Sequence, residues 1–247
     1  MIKFFRKIRY ELMERNKTGK YLKYAIGEII LVVIGILIAL SLNNLNELRK
    51  QEQTKQSYFN QLLIDIDKDT TVIANYIFRI KKSISTYESY LNMFKTPDLS
   101  SEEIIVKLKE VEVSFPVLRF NTNTSEVLIS TGDIKLMPAE IRNVLMDLKR
   151  TKILISDLQI QNDAEYLRML MNARQLGFGT YNSRLDNQPK HAEFLKLSEN
   201  NREAIIILEA AFRLKNFSET SRVDLLKRIL TYLETLKIKI TKAQQRV

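Results

Sequence analysis

Residues 25–42 read AIGEIILVVIGILIALSL and decide the architecture, because Glu28 is the only ionisable side chain among these eighteen positions. Twelve of the eighteen are Ile, Leu or Val. Each of these favours membrane insertion by about 0.3–0.6 kcal/mol, so together they outweigh one glutamate near the edge of the run. A helix rises about 1.5 Å per residue, so the run covers roughly 27 Å, close to the hydrocarbon thickness of about 30 Å. The sequence therefore predicts one transmembrane helix.

The charge on either side of this run predicts its orientation. Residues 1–24 hold eight Lys or Arg and two Glu, a net charge of +6, whereas no basic residue follows the run before Arg49. Because basic flanks stay in the cytoplasm, we expect a cytoplasmic tail held at the lipid bilayer and a body on the far side. In a Gram-negative cell this is an inner-membrane protein with a periplasmic domain.

A cleaved signal peptide is the alternative interpretation of the same run. Ala39-Leu40-Ser41 would serve as a small-x-small cleavage site. Signal peptides, however, carry an apolar core of about 7–15 residues behind a short basic region. The longer core and the leader of twenty-four residues favour an uncleaved signal anchor.

Composition excludes several classes of function. The chain has a net charge of +10, of which the tail supplies +6, so the remaining basic excess is too small to indicate nucleic-acid binding. It has no cysteine, which excludes disulfides, thiolate catalysis and cysteine-ligated metals. Only six Gly and four Pro occur in 247 residues, which favours long helices over sheets. The predicted fold class is all-α.

Two apolar rows at seven-residue spacing follow the transmembrane run. One comprises Phe59, Ile66, Ile73, Ile80, Tyr87 and Phe94; the other comprises Leu63, Ile77, Ile84 and Leu91, interrupted by Thr70. Such 3-4 spacing is typical of a coiled coil or a long bundle helix. No helix breaker precedes Thr96-Pro97-Asp98, so we expect the transmembrane helix to continue into this long helix.

Capping signals divide the rest of the chain. Ser100 with Glu103 and Asn123 with Glu126 have capping-box spacing, and Val111, Val113 and Phe115 alternate like a brief strand. Gly132 can end a short helix in the left-handed conformation, and Pro138 can begin a long one that reaches about Leu176.

A polar loop over residues 177–189, expected to be mobile, separates that helix from the C-terminal part. Ser198 and Ser218 are candidate caps of a third and a fourth helix. The predicted organisation is a basic cytoplasmic tail (1–24), a transmembrane helix (25–42), a helical stalk (43–58) and an extracytoplasmic bundle of about four main helices (59–247).

The first 46 residues resemble an uncharacterised family of single-pass envelope proteins from Gram-negative bacteria. The resemblance lies in AIGEIILVVIGI over residues 25–36 and again in the stretch from Asn123 through Gly132 to Ile141. Members of that family commonly carry Trp where Leu45 stands here, so an interfacial anchor is missing. The resemblance implies one transmembrane helix and a helical extracytoplasmic domain, and no activity.

Glu28, Gly35 and Ala39 are the candidate site residues for a membrane-helix contact. At 100° per residue they fall within about 40° of one another on the helix. Small residues on one stripe let two membrane helices approach closely, and Glu28 would then point into the contact. Alternatively, Glu28 extends to the cytoplasmic interface near Lys20 or Lys23.

No strong catalytic, cofactor or metal motif is present, and we expect none of these sites. Asp65, Asp67 and Asp69 imitate the start of a calcium loop without its glycine or final glutamate, so a solvated acidic face is the interpretation. His191, the only histidine, is expected at the surface. Tyr76, Tyr87, Tyr90 and Phe94 are expected in the core rather than around a pocket.

These observations favour a non-enzymatic binding or scaffolding component of the cell envelope. Its expected partners are the lipid bilayer, an unidentified envelope protein and, through the small-residue stripe and the apolar rows, further copies of itself. The alternative is a periplasmic ligand-sensing subunit that signals through the membrane helix. An internal cavity with convergent polar groups would favour the sensor, and a closed apolar core would favour the scaffold.

Overall fold

The computed structural model describes Tyr10 and residues 18–178, 185 and 187–245, and these residues contain helices and no strand. The helices are α1 (Thr18–Met93), α2 (Ser101–Glu110), α3 (Asn123–Ser130), a 3₁₀ turn (Asp133–Leu136), α4 (Ala139–Gln175), α5 (Pro189–Phe194) and α6 (Leu197–Gln244). The predicted all-α class is confirmed, as is the continuation of the apolar helix into a longer one. The chain divides into two units, Met1–Ser57 and Tyr58–Val247.

The first unit contains the apolar part of α1. An eighteen-residue window of this helix has a mean hydropathy of 2.7, and none of the window is buried within the protein. Side chains such as Leu31, Ile34 and Leu37 are more than half exposed. An exposed helix of this length and composition is compatible with a single-pass membrane protein. The predicted boundaries of the tail (1–24), the span (25–42) and the stalk (43–58) stay predictions.

The second unit is a bundle of three long helices: the later part of α1, then α4 and α6. Lys237 of α6 bonds to Asp67 of α1, whereas Glu209, earlier in α6, bonds to Tyr90, later in α1, so α6 runs antiparallel to α1. α4 runs in the same direction as α1. The segment 111–122 and α3 lie against this bundle, where Thr124 donates to Asp65 at 2.5 Å.

The apolar core of the bundle consists of two separate clusters. The first is built around Phe59, Ile73 and Ile80 of α1 together with residues from α4 and the end of α6. The second contains Tyr87 and Tyr90 of α1 together with residues from α2, α4 and the start of α6. Tyr76, Tyr87 and Tyr90 are buried as predicted, whereas Phe94 is 45% exposed.

Helix ends follow the sequence signals in part. The capping box of Ser100 and Glu103 forms as predicted, and Gly132 adopts the left-handed conformation at φ 77°. The capping box predicted at Asn123 is wrong, because Thr122 occupies the cap position and makes no side-chain capping bond. Val111 to Phe115 are not a strand.

The third and fourth predicted helices are one helix, α6, which passes Ser218 without a break. The segment 197–244 contains no Gly or Pro, and a serine that can cap a helix does not by itself end one. Much of the predicted mobile loop, residues 179–184 and 186, lies outside the described residues.

Candidate functional site

Four residues of α1 at seven-residue spacing form a polar row inside the bundle: Asp69, Tyr76, Ser83 and Tyr90. Each is almost fully buried and bonds to a charged side chain of α4 or α6. Burial of polar groups is costly unless hydrogen bonds compensate for it, so every member of the row needs its specific partner. The row therefore ties α1 to both neighbouring helices.

The polar row replaces one of the two apolar rows expected from the sequence. Phe59, Ile66, Ile73, Ile80 and Tyr87 face the core as predicted, but the second buried row continues from Leu62 through the polar row. Leu63, Ile77 and Ile84 only flank the core, and Leu91 is exposed. A pattern made of apolar residues alone omits Asp69 and Ser83. Both nevertheless stand at multiples of seven residues from the buried Leu62, the spacing expected of residues on the same face of the helix.

Asp69 and Lys152 form a buried ion pair between α1 and α4. Asp69 Oδ1 also accepts hydrogen bonds from the backbone N–H and the side-chain amide of Asn121, at 2.7 and 2.9 Å. Lys152 Nζ donates to the carbonyl oxygen of Asn121 at 3.1 Å and lies 5.3 Å from the ring centre of Phe120. The expectation that Asp69 belongs to a solvated acidic face is wrong, because only 1% of it is exposed.

A second group of charges, the charged layer, separates the two apolar clusters. Lys215 donates to Ser83 and to Glu219, and Arg222 donates to Tyr76 at 2.7 Å and to Asp163 at 3.1 Å. Burial raises the pKa of Glu219 above its ordinary value, although Lys215 opposes the shift. Burial likewise raises the pKa of Tyr76.

The voids described beside the charged layer are small. The two voids that Glu219 lines each have a volume of about 10 Å³. A space of this size holds about one water molecule. The raised pKa of Glu219 therefore reflects its place in a closed interior and gives no support to catalysis.

A groove of about 450 Å³ opens where the segment 118–126 passes α4, and we call it the α4 groove. Its volume lies within the range of about 300–1,000 Å³ typical of small-molecule sites. Five of its lining residues are apolar: Leu118, Phe120, Leu145, Leu148 and Ile153. Three more, Thr122, Ser125 and Ser156, offer hydroxyl groups.

Charged side chains line the rest of the α4 groove. Lys152 lies in its wall, and Arg119, Lys149, Glu126 and Asp157 complete the set. Within the described part of the chain, none of these last four forms an ion pair within 4 Å. Two cations and two anions are thus available to a ligand, next to an apolar wall.

The candidate site residues named from the sequence lie elsewhere. Gly35 and Ala39 are exposed on α1, Glu28 is half-buried, and a Cβ built on Gly35 would meet nothing within 4 Å. The proposed contact between membrane helices stays a prediction. Asp65 and Asp67 bond to different elements, His191 is exposed, and no group of metal-ligating side chains occurs among the described residues.

The fold and the groove define a class: an all-α protein in which one long helix carries a membrane-compatible apolar stretch and then enters a bundle with a lateral groove. Comparison with family models places the chain more narrowly. The chain belongs to DUF6090, described as a family of unknown function, whose model matches residues 28–171. The match includes the whole α4 groove and the Asp69–Lys152 pair, whereas Lys215 and Arg222 lie beyond it. No curated protein and no solved structure matches the chain.

Proposed function

We propose that this chain is a single-pass inner-membrane protein of the cell envelope whose periplasmic bundle works by binding and not by catalysis. The α4 groove carries the proposal, since it combines an apolar wall with charged groups that have no ion-pair partner among the described residues. The exposed apolar stretch of α1 supports membrane anchoring. The basic tail supports a cytoplasmic N-terminus.

Topology is testable by cysteine labelling because the natural chain has no cysteine. We expect Lys81→Cys, at an exposed bundle position, to react with a membrane-impermeant maleimide in intact spheroplasts. Lys7→Cys, in the basic tail, should react only after permeabilisation. The unsubstituted chain is the blank. If Lys7→Cys reacts in intact spheroplasts and Lys81→Cys does not, the orientation is opposite to the one proposed.

Occlusion of the α4 groove tests binding. Ser156 is half-buried in the groove wall, so Ser156→Trp should fill the space, whereas Gln161→Trp alters an exposed position on the same helix outside the groove. We expect any protein or small molecule that copurifies with the intact chain from its own membranes to decrease at least about fivefold, roughly 1 kcal/mol of binding, with Ser156→Trp only. If the copurifying protein or small molecule is recovered equally with both variants, it does not bind in the α4 groove.

Ligand sensing is a second candidate function, and one contact favours it. Lys152 lines the α4 groove and bonds to Asp69 of α1, the helix that also contains the apolar stretch. A ligand that repositions Lys152 would act directly on that helix. Sensing requires that a ligand bind two arrangements of the bundle with different affinities, which distinguishes it from passive scaffolding.

A further inference from the structure

A second cavity, of about 270 Å³, lies in the other half of the bundle and shares no lining residue with the α4 groove. Its apolar wall comes from α2 and the segment after it, from α4 and the segment after it, and from α6. The wall residues are Leu108, Val113, Leu170, Phe178, Leu208 and Phe212. Four of them, Leu108, Leu170, Leu208 and Phe212, are no more than 5% exposed, so the wall is continuous with the second apolar cluster.

Among the described residues, only two polar side chains line this cavity, and both are cations. Lys109 comes from the last turn of α2 and Arg174 from the last turn of α4. Neither forms an ion pair within the described part of the chain, and no acidic residue is among the lining residues. The neighbouring cations Lys107 and Arg168, in contrast, pair with Glu110 and Glu165 on their own helices.

An apolar wall under two unpaired cations fits a ligand with an apolar body and an anionic head. A guanidinium can hold a carboxylate through two parallel hydrogen bonds, and an ammonium adds a second charge. The volume lies just below the range of about 300–1,000 Å³ typical of drug-sized ligands, which favours a single short acyl chain over a two-chain lipid. The α4 groove, with charges of both signs, has no such preference.

We propose that this cavity binds a free medium-chain carboxylate, with the acyl chain against Leu208 and Phe212 and the carboxylate between Arg174 and Lys109. The proposal does not depend on the function assigned to the α4 groove. It predicts that binding requires both the negative charge and the chain, so an alcohol of equal length should bind weakly.

The absence of tryptophan from the chain allows a direct test. Phe178→Trp places a single fluorophore in the cavity wall, and Phe217→Trp places one at a 71% exposed position on α6 outside the cavity. The full chain, reconstituted in phosphatidylcholine nanodiscs, is titrated with ω-bromodecanoate, whose bromine quenches nearby tryptophan. We expect saturable quenching of Trp at position 178 and only a gradual, unsaturable decrease at position 217.

Charge variants in the Phe178→Trp background then test recognition. Arg174→Gln should raise the midpoint of quenching about tenfold, as expected for loss of one charge-assisted contact, whereas Arg168→Gln should leave it unchanged. ω-Bromodecanol should quench with a midpoint at least about tenfold higher than the acid. Equal midpoints for the two arginine variants, equal midpoints for acid and alcohol, or the same quenching curve at both tryptophan positions would overturn the proposal. If Phe178→Trp lowers the unfolding midpoint, Val113→Trp replaces it as the reporter in the same cavity wall.

Discussion

Lys152→Met is expected to reduce the unfolding free energy of the bundle by about 3–5 kcal/mol, because it leaves the Asp69 carboxylate buried without its counter-charge. The lost hydrogen bond to the Asn121 carbonyl adds to the effect. Denaturant unfolding of the full chain, followed by the helical circular dichroism signal, measures the change. The same variant should loosen the segment that carries Asn121, which forms one side of the α4 groove.

Two variants separate the ion pair from simple loss of a lysine. Lys149→Met removes a cation one turn earlier in the same groove, without an ion pair, and should change the unfolding free energy by less than about 0.5 kcal/mol. Asp69→Asn combined with Lys152→Met removes both charges while an amide oxygen still accepts from Asn121. This double variant should therefore be more stable than Lys152→Met alone. Strictly additive losses in the double variant would contradict a coupled pair.

The second large effect concerns the apolar stretch of α1. Arginine near the centre of a membrane helix costs about 2.5–3.5 kcal/mol, so Val33→Arg with Ile36→Arg should offset the roughly 5 kcal/mol by which the Ile, Leu and Val residues of the run together favour insertion. We expect the double variant to leave the carbonate-resistant membrane fraction almost completely. Leu45→Arg, just beyond the run, should stay in that fraction. A double variant that remains membrane-embedded would show that this stretch does not hold the chain in the membrane.

Local sequence signals predicted much of the helical framework. Ser100 with Glu103, Gly132 and the row from Phe59 to Tyr87 have the roles their residue types indicate. Such signals act over one or two turns, or over a regular apolar repeat, and can be recognised without knowledge of the partner helix. Ser218 shows their limit, because its neighbours on α6 continue the helix and tertiary packing buries it.

Most of the candidate site could not be predicted from the sequence, because it is formed by contacts between residues far apart in the chain. Asp69 is separated from Lys152 by 83 positions, and nothing local indicates that two charged residues meet in the interior. The α4 groove likewise forms only when the segment around Phe120 lies against α4. The one recoverable signal was the spacing of Leu62, Asp69, Tyr76, Ser83 and Tyr90, which continues a helical row regardless of polarity.

The charged layer limits how far α1 can slide along its own axis within the bundle. Apolar side chains can slide past one another at little cost. A shift of α1 by one residue, in contrast, would withdraw Tyr76 from Arg222 and Ser83 from Lys215 together, and each cation would lose a hydrogen-bond partner inside the bundle and keep only its carboxylate. These pairs therefore stabilise one register of α1 against α6 and destabilise the neighbouring registers. Displacement of α1 within the bundle should therefore occur between discrete positions, or carry α6 along with it.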